Sequence, residues 1–173
     1  MPNSPLRVML AACLGACLLA GCAQTMVNSG PSSVPPSLSW IVQVADTGAS
    51  TTVNGSGTAT VPRGTQVRVF LHATSSSGVK TVTDGPFIEM GWTCIQGNIG
   101  QNMTADIAGS TATQTPNAQN QVDLDLVLFH FFDVTVPCNA GFSYSGGAIS
   151  INGKATTFAG KSKTASLVIK IAK

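Results

Sequence analysis

Few side chains in this sequence are of types that do chemistry, and their spacing decides what each can do. His72 and His130 are its two imidazoles, and each interrupts an apolar run. Such a histidine is read as a partly buried, hydrogen-bonded side chain, with a general base as the sharper alternative. Ser77 and Lys80 have the S-x-x-K spacing that sets a lysine one helical turn from a serine nucleophile. Here the four residues cross from a polar loop into a strand, neither S-D-N nor K-T-G follows, and G-x-S-x-G is absent. No catalytic residue is assigned, and no enzyme activity is expected. A metal site is not expected either, because there is no C-x-x-C and no His or Met follows Cys138 to complete a blue-copper ligand set. No cofactor is implied.

Charge is unevenly spread along the chain. From Asp84 to Asp133 there are six acids and no Lys or Arg, whereas five of the nine basic residues fall between Lys154 and Lys173. One reading is scattered, solvated positions. The functional reading gathers Lys154, Lys161, Lys163, Lys170 and Lys173 on neighbouring strands as a basic patch facing anionic lipid headgroups or a polyanionic envelope polymer. Phe87, Trp92 and Tyr144 are a second candidate surface, although aromatic residues of this kind also fill cores.

Leu19-Ala20-Gly21-Cys22 resembles the lipobox of bacterial lipoproteins. The preceding residues agree with a signal segment: Arg7 and the amino terminus are positive, and Val8 to Ala20 is apolar and uncharged. That run is too short for a spanning helix, which needs roughly 20 residues. An ordinary secretory signal is the rival reading. The resemblance implies cleavage after residue 21, acylation of Cys22, and a membrane partner reached through the lipid anchor. With Ala rather than Asp at position 23, it further implies the outer membrane if the source is Gram-negative.

A chain from Cys22 onward has 152 residues, enough for one domain with a real core. Charged residues are 9% of the sequence, and Ser with Thr make up about a fifth, a composition of envelope proteins rather than cytosolic ones. With 43% hydrophobic residues and a net charge of +2, extensive disorder is not expected. No basic footprint on the scale of nucleic-acid binding is present. Cys13 and Cys17 would leave with the signal and Cys22 would carry lipid, so Cys94 and Cys138 remain. An isolated pair in an exported chain is most simply a disulfide, the alternative being two free thiols.

The elements that must position these residues read as strands throughout. Residues 1–21 are assigned to the signal, 22–37 to the lipidated cysteine and a flexible tether, and 38–173 to a single β domain. Ser39 to Ala45 is the first strand. Thr51 to Val53 and Thr58 to Val61 flank Asn54-Gly55, a dipeptide suited to a tight hairpin. Gln66 to Thr74 alternates cleanly, with Val67, Val69, Leu71 and Ala73 on the core face. Val79 to Thr83 and Phe87 to Trp92 follow. Between Gln96 and Gln121 one short strand is placed, near Met103 to Ile107. Val122 to Val136 is read as half-exposed at first, then buried on both sides around Leu126 to Phe132, with a bulge or break near His130. Ala148 to Ile151, Lys154 to Phe158 and Thr164 to Ile171 close the domain. No stretch sustains a helical period, so the fold expected is an all-β antiparallel sandwich.

The stretch Val67 to Val82 resembles the strand–loop–strand of bacterial immunoglobulin-like domains, and Gly153 to Lys161 with Ser166 to Ile171 is similar to their last two strands. This resemblance implies an immunoglobulin-like β-sandwich. The function expected is a non-catalytic binding or structural module of the cell envelope, with an envelope protein or glycan as partner. A surface adhesin or host-interacting antigen is one alternative, and a small envelope enzyme or ligand carrier is another.

Overall fold

The computed structural model describes residues 24–26 and 34–173. The expected signal segment, residues 1–21, and the expected acylation site Cys22 lie outside the described residues. Thirteen strands are present among those described, in chain order β1 Gln24–Met26, β2 Ser37–Val44, β3 Ser50–Asn54, β4 Gly57–Pro62, β5 Gln66–Thr74, β6 Val79–Thr83, β7 Phe87–Gln96, β8 Ile99–Ala108, β9 Thr111–Thr113, β10 Gln121–Asp123, β11 Asp125–Asp133, β12 Ser143–Thr157 and β13 Ser162–Ala172.

The strands form two facing sheets. The first has the order β3-β2-β5-β11, all antiparallel. The second is built on β12, which pairs with β13 along one edge and with β7 and then β6 along the other. β8 extends the sheet beyond β7, β9 extends it beyond β6, and β4 joins β13 in parallel. β1 and β10 make a separate antiparallel pair.

The core follows from period-2 alternation. Leu38, Trp40, Val42 and Val44 of β2 and Val67, Val69, Leu71 and Ala73 of β5 point inward, facing Ile149, Ile151 and Ala155 of β12 and Ala165, Leu167, Ile169 and Ile171 of β13. The molecule is therefore an all-β sandwich. The strands expected at Gln66–Thr74 and Val79–Thr83 form with those bounds.

Other expectations are corrected. The Asn54-Gly55 turn forms, with Gly55 at φ +71°, but it does not close a hairpin. β3 pairs with β2 in the first sheet, while β4 crosses to β13 in the second. A turn dipeptide sets local dihedrals and carries no information on which strand offers an open edge.

The two strands expected at 148–151 and 154–158 are parts of one, β12, 15 residues long. Asn152-Gly153 lies inside it, where Gly153 has a packing role. A Cβ on Gly153 would lie 2.4 Å from a Leu71 methyl and 2.8 Å from the Trp40 ring, so the missing side chain admits the indole from the opposite sheet.

β11 keeps unbroken register with β5 through His130, with neither a bulge nor two-sided burial. It is an edge strand of a sheet covered on one face only, so Leu128 and Phe132 are buried while Val127, Phe129 and Phe131 face outward. In the polar segment 96–121, β8 runs for ten residues instead of five, because it pairs along all of β7 and turns at Gly97-Asn98. Its residues alternate between half-buried and exposed with none fully buried; Gly100 to Asn102 are small or polar, so the alternating apolar signal is confined to Met103–Ile107. Within the expected tether 22–37, Gln24–Met26 is a strand paired with Gln121–Asp123, and β2 begins already at Ser37.

Candidate functional site

Cys94 near the end of β7 and Cys138 in the loop after β11 are joined, with S–S 1.96 Å and Cα–Cα 5.8 Å. Several contacts converge beside this bond. The Trp92 indole N–H donates to Pro137 O (2.9 Å). Arg63 donates from Nε to Thr135 O (3.2 Å) and from Nη2 to Val136 O (3.1 Å), and its guanidinium lies 4.8 Å from the Tyr144 ring centroid. The Tyr144 hydroxyl donates to Ile171 O (2.8 Å). Burial pushes this phenol above its usual range, partly opposed by the Arg63 charge. The loop 134–142, which leaves β11 of the first sheet, is thereby fixed to the second sheet, and Val136 is held at φ +40°, a conformation rare for a β-branched residue. Of the expected aromatic surface, Trp92 and Tyr144 belong to this corner. Phe87 stands apart at the other end of β7 and is 70% exposed.

The histidines separate. His130 points inward from β11 and its Nε2 meets the Asp84 carboxylate, which is 1% exposed. The other Asp84 oxygen accepts from the Ser110 N–H (2.6 Å). This pair ties the loop between β8 and β9 to β11. His72 points outward on β5, 3.7 Å from Asp125, and lines an open cleft of about 350 Å³ with Ser37, Ser39, Asn54 and Lys163. Ser77 and Lys80 run from a turn into β6, not along a helix, so the one-turn geometry of S-x-x-K does not arise.

The five lysines divide into two groups. Lys154 faces outward on β12 in register with Thr83 and Thr164, Lys161 lies in the β12–β13 turn, and Lys163 reaches the cleft at the same end. Lys170 is in register with Ala148, six residues further along β12, which is roughly 20 Å away at the usual strand rise. Lys173 follows at that far end. Three of the five therefore lie at one end of the β12–β13 pair, with Lys154 and Lys163 on opposite faces of the sheet, since Lys163 is paired with the buried Ala155.

Two features escaped the sequence reading. Gln114 uses its side-chain amide as a clamp, accepting from Asp123 N (2.9 Å) and donating to Asp123 O (2.8 Å) and to Val79 O. Nothing in the local sequence marks that residue. The other feature is the outward row of β11, where Val127, Phe129 and Phe131 are 47%, 49% and 47% exposed. No local signal marks it, because residues 126–132 are apolar at both alternating positions apart from His130. No protein-family model matches the chain, and no curated protein matches it.

Proposed function

We propose that this chain is a lipid-anchored, non-catalytic binding module of the cell envelope, held at Cys22 and presenting one end of the sandwich to a polyanionic envelope polymer. The observation that carries the binding part is the placement of Lys154, Lys161 and Lys163 at one end of the β12–β13 pair, with Lys163 at a cleft shared with His72. Ammonium groups spread over one end of a domain concentrate counter-charge and suit a repeating anion better than a single small one. The anchor part rests on Leu19-Ala20-Gly21-Cys22. An immunoglobulin-like kinship of the sandwich belongs to the same reading, supported by the parallel β4–β13 pair beside antiparallel β12.

Both parts are tested separately. Cells fed a palmitate analogue should label the wild-type chain and leave a Cys22→Ala chain unlabelled and released from membranes. Equal labelling overturns the anchor. On an immobilised polyanion, Lys161→Glu/Lys163→Glu should elute at lower salt than wild type, and Lys170→Glu/Lys173→Glu should change elution less. Identical elution of the first variant and wild type overturns the polymer-binding reading.

A further inference from the structure

The outer face of the first sheet is polar at one edge and apolar at the other. Registers align Thr52, Ile41, Phe70 and Phe129 in one row. The flanking rows are Asn54, Ser39, His72 and Val127 on one side, and Ser50, Gln43, Arg68 and Phe131 on the other. Apolar character therefore rises toward β11, where the Phe70 and Phe129 rings pack with centroids 5.1 Å apart and planes tilted by 42°. β11 is also a free edge of its sheet among the described residues. A nine-residue edge strand with an aromatic outer face is a surface that proteins ordinarily cover.

The N-terminal pairing says what lies beside that edge. Gln24 is in register with Asp123, two residues before β11 begins, and Leu124 between them is tied to the first sheet by the Ser75 N–H (2.9 Å). Cys22 precedes Gln24 by two residues, a reach of about 7 Å of extended chain. An acylated Cys22 would thus bring the bilayer to the apolar edge of the sheet and not to its polar edge.

We infer that the β11 edge and outer face of the first sheet rest on the membrane that holds the anchor, with Val127, Phe129, Phe131 and Phe70 entering the interfacial region. This rests on the proposed acylation of Cys22. Large apolar side chains partition to the headgroup–acyl boundary when an anchor has already removed the cost of bringing the protein there. The charges on this face are Arg68 within it, Lys163 at the cleft beside His72, and Asp125 and Asp133 at the ends of β11; two cations and two acids leave no net charge, so the contact depends on apolar insertion and not on anionic lipid. A second copy fits less well. Antiparallel pairing of two β11 edges centred on Phe129 would set Asp125 against Asp133 at both ends, a repulsive arrangement. Lys163 borders this face at the cleft with Ser39, Asn54 and His72, while Lys154 and Lys161 belong to the second sheet and the β12–β13 turn.

The test uses the full lipidated chain in zwitterionic vesicles containing lipids brominated along the acyl chain. Phe129→Trp replaces one exposed aromatic by another and should be quenched several-fold more, above the native tryptophan background, than Thr58→Trp on the outer face of the second sheet. Equal quenching of the two variants, while the chain still co-floats with vesicles, overturns the membrane-facing assignment and leaves the anchor intact. Shielding of Phe129→Trp that grows with protein concentration in lipid-free detergent overturns it in favour of a second copy. A wild-type chain that takes up no palmitate and does not float removes the anchor, and the inference falls with it.

Discussion

At the scale of single residues, Gly153 shows how a missing side chain can hold two sheets in register. Its position admits Trp40 and Leu71 from the facing sheet, and an added Cβ would sit within 3 Å of both. Gly153→Ala is expected to destabilise the fold by about 1–3 kcal/mol through overpacking, measured by chemical denaturation. Tyr144 offers a pH-dependent counterpart. Its folded-state pKa is raised by burial, so the stability linked to the protonated phenol is present below the unfolded value of about 10. That stability is lost as the pH rises through the higher folded value. The denaturation midpoint should therefore fall with pH in this alkaline range, and Tyr144→Phe should flatten the fall.

Between elements, the ties that matter join strands to loops. The Cys94–Cys138 bond spans a sequence separation of 44, and loop-closure entropy assigns its removal about 4 kcal/mol. Cys94→Ser/Cys138→Ser should lower the unfolding free energy by that order, and peptide mapping without reductant should recover the linked pair from wild type. Asp84 has a comparable role at the opposite end of β7. Asp84→Ala leaves the Ser110 N–H and the His130 ring without their carboxylate partner, an expected cost of about 1–3 kcal/mol. Amide exchange should then quicken first in β9 and the loop before it.

Across the whole molecule, three surfaces point in different directions. The β11 face is apolar, the β12–β13 end is cationic, and the outer face of the second sheet carries hydroxyls from Thr58, Thr60, Thr81, Thr83, Thr111 and Thr113. Under the proposed anchoring at Cys22, such a distribution would hold the domain low on a bilayer and offer its basic end to the envelope. Protease added to intact and to lysed cells reports which side of the outer barrier that end faces. Cleavage in intact cells is expected if the polymer is extracellular, and protection until lysis if it is periplasmic.

Alternation was sufficient to mark β5 and β13 and their inward residues, because one-sided burial writes a period of two directly into the sequence, whereas β2 and β6 were marked by β-branched runs between turn residues. Export, inferred from the N-terminal segment, together with the count of remaining cysteines was sufficient to pair Cys94 with Cys138. Only the tertiary structure decided the rest. Whether Asn54-Gly55 closes a hairpin depends on which edges are open elsewhere, and β4 found its partner more than 100 residues away. Whether the phenylalanines of β11 are core depends on whether another layer covers them. Whether lysines close in sequence are close in space depends on the register of β12 and β13. These are properties of long-range pairing, and no local run of residues encodes them.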